Sequence, residues 1–260
     1  MRNHATLLTS VKQFFYLVGD ISRFGIRFFR EGFTPPFEWK EVMRQSVEIG
    51  YRSLPLVGIT AFIMGLVLTI QSRPTLVEFG AESWLPAMVS VSIIREIGPV
   101  ITALICAGKV GSRIGAELGS MKVTEQIDAM EVSGTNPFKY LVTTRILSTT
   151  LMLPLLVILA DVIALYGAYL GVNIKGAVSG QLFFSQVIDS LAFSDLIPSI
   201  VKSFFFGFAI GLIGCYMGYH SKKGTEGVGN SANSAVVVAS LMVFVIDLLA
   251  VQIIDLFYGL

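Results

Sequence analysis

The chain has 260 residues, 53% of them hydrophobic and 14% charged, with a mean hydropathy of +0.72. A soluble domain carries about 25% charged residues, so this composition excludes an ordinary water-soluble globule and points to a polytopic, all-α membrane protein. The net charge of +1 says nothing about nucleic acid, but no basic patch interleaved with aromatics is present, and nucleic acid is not expected as a partner.

Residues 1–52 read as an N-terminal amphipathic, interfacial helical region. Its apolar residues are periodic rather than continuous and no small-x-small cleavage site follows, so a signal peptide is not expected. From 12 to 30, Phe14, Leu17, Val18, Ile21, Phe24 and Phe28 recur at helical spacing. Tyr16, Asp20, Arg23, Arg27 and Arg30 take another face. Aromatics opposite arginines suit a helix lying in the headgroup plane; the alternative is a helix packed on the protein. Thr34-Pro35-Pro36 breaks it. Glu38 to Arg52 is a second, more charged helical segment.

Residues 53–258 read as one membrane-spanning domain. A first span over about 53–72 is long enough for the hydrocarbon core, roughly 30 Å at 1.5 Å per residue. Gln71 lies near its end, and a loop over 73–84 contains Pro74, Phe79, Gly80 and the interface anchor Trp84. A second span covers about 85–111. Arg95 and Glu96 fall roughly ten residues into it, about 15 Å deep by helical rise. Gly98-Pro99 follows, and the proline predicts a kink.

Gly111, Gly115 and Gly119 share one helix face; Lys109, Arg113 and Glu117 share roughly the opposite one. The first face can pack against a backbone, and the second is expected to meet water or headgroups. About 123–132 is too short and polar to span. Val123, Ile127 and Met130 give it one apolar face, with Glu125, Gln126, Asp128 and Glu131 around the rest. Gly134 and Asn136-Pro137 end it. Such a helix can dock into a groove on a partner.

Further spans are expected over about 140–172, 196–219 and 234–258. A mostly polar connection over 173–196 carries Lys175, Asp189 and Asp195, and a Gly, Ser and Asn loop covers 220–233. Asp161 and Asp247 lie inside spans without an evident partner. Lys and Arg crowd the segment before the first span, the 109–145 region and the 220–233 loop, while the other side carries only Arg73 and Lys175. The positive-inside rule then puts the N-terminus in the cytosol and the C-terminus outside.

Charge deep in a span is costly and marks a functional site by default. An arginine there can hold a phosphate through two parallel hydrogen bonds; Arg95 and Glu96 can also be read as a structural pair locking neighbouring helices. Cys106 and Cys215 read as buried small hydrophobes, and His4 and His220 have no metal-site spacing. There is no G-x-x-x-x-G-K-[ST] loop, since Ala107-Gly108-Lys109-Val110-Gly111 lacks both the first glycine and the hydroxyl after lysine. H-E-x-x-H and G-x-S-x-G are missing too. No catalytic residue, metal or cofactor is expected in this chain.

The run Arg95-Glu96-x-Gly-Pro, Ala107-Gly108-Lys109-Val110-Gly111, Ala116-Glu117-Leu118-Gly119-Ser120-Met121 and Glu125-Gln126-Ile127-Asp128-Ala129 resembles the MlaE-type permeases, over roughly residues 40–258. Lys109 stands where that family usually has arginine. These permeases are the membrane subunits of ABC transporters that move phospholipids in double-membraned bacteria. The resemblance implies a multi-pass protein of the bacterial inner membrane and a homodimer. It implies a cytosolic ATPase subunit that binds ATP and Mg, a periplasmic ring of MCE-domain protein, and an accessory STAS-domain protein. Carried over by position, Arg95, Glu96, Gln71 and Phe79 line a phospholipid pocket, and Glu117, Glu125, Gln126 and Asp128 couple to the ATPase. Acyl-chain burial would supply about 0.8 kcal/mol per CH₂. A proton-coupled secondary transporter using Glu96, Asp161 and Asp247 is the alternative; such proteins commonly show two related halves, and no internal repeat is visible here.

Overall fold

A computed structural model describes residues 2–32, 34, 35, 37–174 and 178–258, with side chains between 16 and 256 of these. Pro36 and Lys175 lie outside the described residues, as do the side chains of His4, Lys12 and Phe14. The described residues form helices and no strand: α1 (Arg2–Gly32), α2 (Trp39–Glu78), α3 (Glu82–Val123), α4 (Gln126–Val132), α5 (Phe138–Asn173), α6 (Gly180–Ser190), α7 (Phe193–Tyr219) and α8 (Thr225–Tyr258). Five of these, α2, α3, α5, α7 and α8, are long and apolar enough to cross a membrane.

Several boundaries differ from the expected ones. Residues 73–78 are helical, so α2 continues through Arg73 and Pro74. Proline removes only one donor, and neighbouring groups in a bundle re-satisfy the freed backbone. The helix ends at Gly80, with φ +67°. There the Ala81 amide donates to the Leu76 carbonyl at 2.8 Å and the Gly80 amide to Val77 at 3.0 Å, a Schellman closure that favours glycine. Gly134 closes α4 in the same way, as its position suggests. The short acidic helix is shorter than the expected 123–132: Val123 still belongs to α3, and Glu125, at φ +58°, makes the turn into α4.

The connection over 173–196 holds α6, capped by Ser179, whose hydroxyl accepts from the Leu182 amide at 3.2 Å. The fifth span starts earlier than expected, at Thr225. The Gly, Ser and Asn run there is a small-residue helix face rather than a loop. A Cβ on Gly115 would lie 3.1 Å from the Ser231 carbonyl and 3.2 Å from Ala235 Cβ. The glycine face of α3 therefore meets α8 at backbone distance, as small residues permit in membrane helices.

The N-terminal helix corrects the expectation of an aromatic stripe lying in the headgroup plane. Ile21, Phe24 and Phe28 are buried against protein. Phe24 packs edge-on at 5.0 Å to Phe138 and 5.6 Å to Tyr216, and Phe28 at 5.7 Å to Phe208. Edge-to-face ring pairs of this kind are worth about 0.5–1.5 kcal/mol beyond area burial. Arg27 covers the Phe138 ring at 4.2 Å and pairs with Glu31, which also accepts from Asn136. Ile26 and Phe29 remain on the exposed side. His220 lies in the same ring cluster, 4.5 Å from Tyr216, and Cys106 and Cys215 are free and buried.

Candidate functional site

The long helix α3 is interrupted twice by π-helical turns, Ile93–Ile97 and Ala107–Gly111. Such turns insert a residue into the ladder and recur at functional sites. The first holds Arg95 and Glu96, and Pro99 follows it, so a π turn adjoins the proline where a kink was expected.

Arg95 reaches α7, its Nε and Nη2 both donating to Asp195 Oδ1 at 2.5 Å. Asp195 is 2% exposed, and its other oxygen accepts the Ala192 amide at 2.9 Å. One carboxylate thus starts α7 and anchors Arg95. Two turns along the same face, Lys202 is also 2% exposed. Its Nζ donates to Glu96 Oε2 at 2.9 Å and to Asp247 Oδ1 at 3.0 Å. Lys202 joins α3, α7 and α8 at one point, so Asp247 has the partner that its sequence context did not reveal.

Asp161, on α5, faces the other side of the same turn. A Cβ on Gly98 would overlap Asp161 Oδ1, and that oxygen is buried with no hydrogen-bond partner in the described structure. Glycine at 98 is what lets α5 approach. Arg95, Glu96, Ser194, Asp195, Ser199 and Asp255 line a small, partly open concavity of about 90 Å³ between α3, α7 and α8. Gln71 and Phe79 line no part of it; both are exposed near the end of α2.

The second π turn borders a different cluster. Arg113 pairs with Glu48 at 2.7 Å and with Glu117 at 2.7 Å; Glu117 also takes Arg145 at 3.2 Å. Arg52 pairs with Glu48 at 2.6 Å, and Lys109 donates to the Arg52 carbonyl. The charged face of α3 therefore meets α2 and α5 rather than water alone, which corrects the expectation, and Glu117 is held inside this network. Glu125, Gln126 and Asp128 stand exposed around the α3–α4 turn, with Asp128 paired to Lys122 at 2.7 Å. Ile127 is buried beneath them.

Sequence reasoning missed Lys202 and the role of Asp195. Lys202 was legible as a lone cation in an apolar span, functional by default. Asp195 sits at a span boundary, where a carboxylate reads as a loop residue. No group of His, Cys, Asp and Glu among the described residues is arranged to hold a metal ion.

Comparison with known proteins agrees with this architecture. Residues 42–253 match the family described as Permease MlaE. A probable ABC transporter permease protein of Rickettsia typhi is 40% identical over 219 residues, 84% of this chain and 85% of the relative. A probable ABC transporter permease protein of Synechocystis is 35% identical, covering 79% of this chain and 78% of its own. The intermembrane phospholipid transport system permease protein MlaE of Haemophilus influenzae is 34% identical over 82% of each chain. The chain belongs to the MlaE permease family, as a membrane-spanning, non-catalytic permease subunit of an ABC transporter.

Proposed function

We propose that this permease moves phospholipid between the inner membrane and a periplasmic MCE-domain carrier, driven by a separate cytosolic ATPase, as a homodimer with an accessory STAS-domain protein. The observation that carries the reading is the concavity at Arg95 and Glu96, a charged, partly open site beside a π turn within an otherwise apolar bundle. The name of the Haemophilus influenzae relative supports phospholipid as the cargo. Apolar faces left uncovered on α2 and α8 suit acyl chains and a second copy. The density of Lys and Arg supports a cytosolic α4 and N-terminus and an outer C-terminus.

In this reading Arg95 and Glu96 contact the lipid headgroup, with Gln71 and Phe79 contributing along the lipid path from the end of α2. Glu125, Gln126 and Asp128 meet the ATPase, and Glu117 transmits through the Arg113 network. Arg95→Ala should impair lipid transfer in reconstituted vesicles while the complex still assembles; wild-type transfer would remove Arg95 from the site. Glu125→Lys should weaken co-purification with the ATPase, and undiminished coupled ATP hydrolysis would contradict the docking role.

A further inference from the structure

We infer that the Arg95 concavity selects phospholipids whose headgroup carries an ammonium over those whose headgroup charge is phosphate alone. The inference rests on the phospholipid reading above and assigns its headgroup class.

Charge balance is the starting point. Around the concavity and the lysine beneath it, Arg95 and Lys202 face four carboxylates: Glu96, Asp195, Asp247 and Asp255. Asp195 already occupies Arg95, and Lys202 is divided between Glu96 and Asp247. Glu96 still has a side chain 44% exposed towards the opening. A purely anionic headgroup entering here meets excess negative charge, not the positive pocket that a lone arginine suggests.

Asp255 is the second observation. It lines the concavity from the last turn of α8, where the helix dipole is negative and a carboxylate is unfavourable by about 0.3–1 kcal/mol. That turn has no basic residue, and Asp255 has no hydrogen bond or ion pair among the described residues. Asp255 is exposed and open to a cation brought to it.

The opposite wall suits the phosphate. Arg95 lies beside Ser194, in the first turn of α7, and Ser199 follows one turn later. The start of a 27-residue helix favours an anion. A zwitterionic headgroup can therefore put its phosphate towards Arg95 and Ser194 and its ammonium between Glu96 and Asp255. Phosphatidylglycerol supplies the first charge without the second.

The test reconstitutes the permease with its ATPase in vesicles of equal phosphatidylethanolamine and phosphatidylglycerol, and measures by mass spectrometry the lipid retained by the repurified complex. Retained phosphatidylethanolamine should exceed phosphatidylglycerol about fivefold, equivalent to about 1 kcal/mol at 1.4 kcal/mol per decade. Asp255→Asn, at an exposed position, should bring the ratio near one by lowering retained phosphatidylethanolamine, with phosphatidylglycerol no lower than in the unsubstituted protein. Equal retention by the unsubstituted protein, or a ratio unmoved by Asp255→Asn, would overturn the selectivity while leaving the pocket standing. Loss of a subunit on Asp255→Asn would overturn it too, by assigning the carboxylate to a protein interface. Total lipid unaffected by Arg95→Ala would instead overturn the underlying phospholipid site.

Discussion

The two charged clusters on α3 lie at successive π turns, yet they are built to opposite plans. At Ile93–Ile97 two cations face an excess of carboxylates, and two of the pairing residues, Asp195 and Lys202, are almost wholly buried. At Ala107–Gly111 the balance reverses: Arg52, Lys109, Arg113 and Arg145 surround Glu48 and Glu117, and most of these side chains are partly exposed. Buried pairs are costly to break because the abandoned charge stays desolvated; exposed pairs are screened and contribute little. The same helix thus carries one rigid charged node and one adjustable one.

The largest effect should come from Lys202→Met. It strands Glu96 and Asp247 and should cost about 3–5 kcal/mol, measured by denaturation in detergent. Adding Glu96→Gln and Asp247→Asn should recover much of the loss, because the cost is unpaired charge rather than lost packing. A loss below 1 kcal/mol would show that the node is not the rigid one.

Two glycines test the same contrast through the backbone. Gly98→Ala puts a methyl onto Asp161 Oδ1 and should cost about 1–3 kcal/mol. At Gly108, inside the second π turn, an added Cβ meets nothing within 4 Å. Gly108→Ala should be neutral or stabilise by about 0.4–1 kcal/mol. Equal losses at both positions in thermal melts would erase the distinction.

Smaller still, Arg113→Gln should cost about 0.2–1 kcal/mol, and the loss should shrink as salt is raised. The least effect is expected at Glu31. Burial pushes its carboxyl up, but hydrogen bonds from Arg27 and Asn136 and the neighbouring arginines more than reverse this, holding it below the ordinary glutamate range. Its support for α1 docking is therefore complete at neutral pH and is lost as the pH falls through that lowered value. Hydrogen exchange in α1 should rise only in acid, and Glu31→Gln should remove that dependence.

Much of this contrast was legible in the sequence, though unevenly. Five apolar stretches, the Arg95-Glu96 pair within the second of them and the exposed acidic turn all follow from hydropathy and spacing. The pairing did not follow. Asp195, Lys202 and Asp247 lie 45 to 106 residues from the groups they meet, and nothing in local periodicity joins them. The aromatic face of α1 looked like a membrane anchor because burial under protein and burial in headgroups call for the same residues. The early start of α8 was hidden because glycine and serine mark loops in water and close helix contacts in a membrane.

The central claim is that lipid occupies the Lys202-side concavity and not the Arg113-side one. A photoreactive residue at Ile254, which lines the first, and another at Ile49, which lines the second, test it directly in the complex reconstituted in phospholipid vesicles. The account predicts a phospholipid adduct at Ile254 that Arg95→Ala diminishes, and little or none at Ile49. Equal labelling at both positions, or labelling at Ile49 alone, would contradict it.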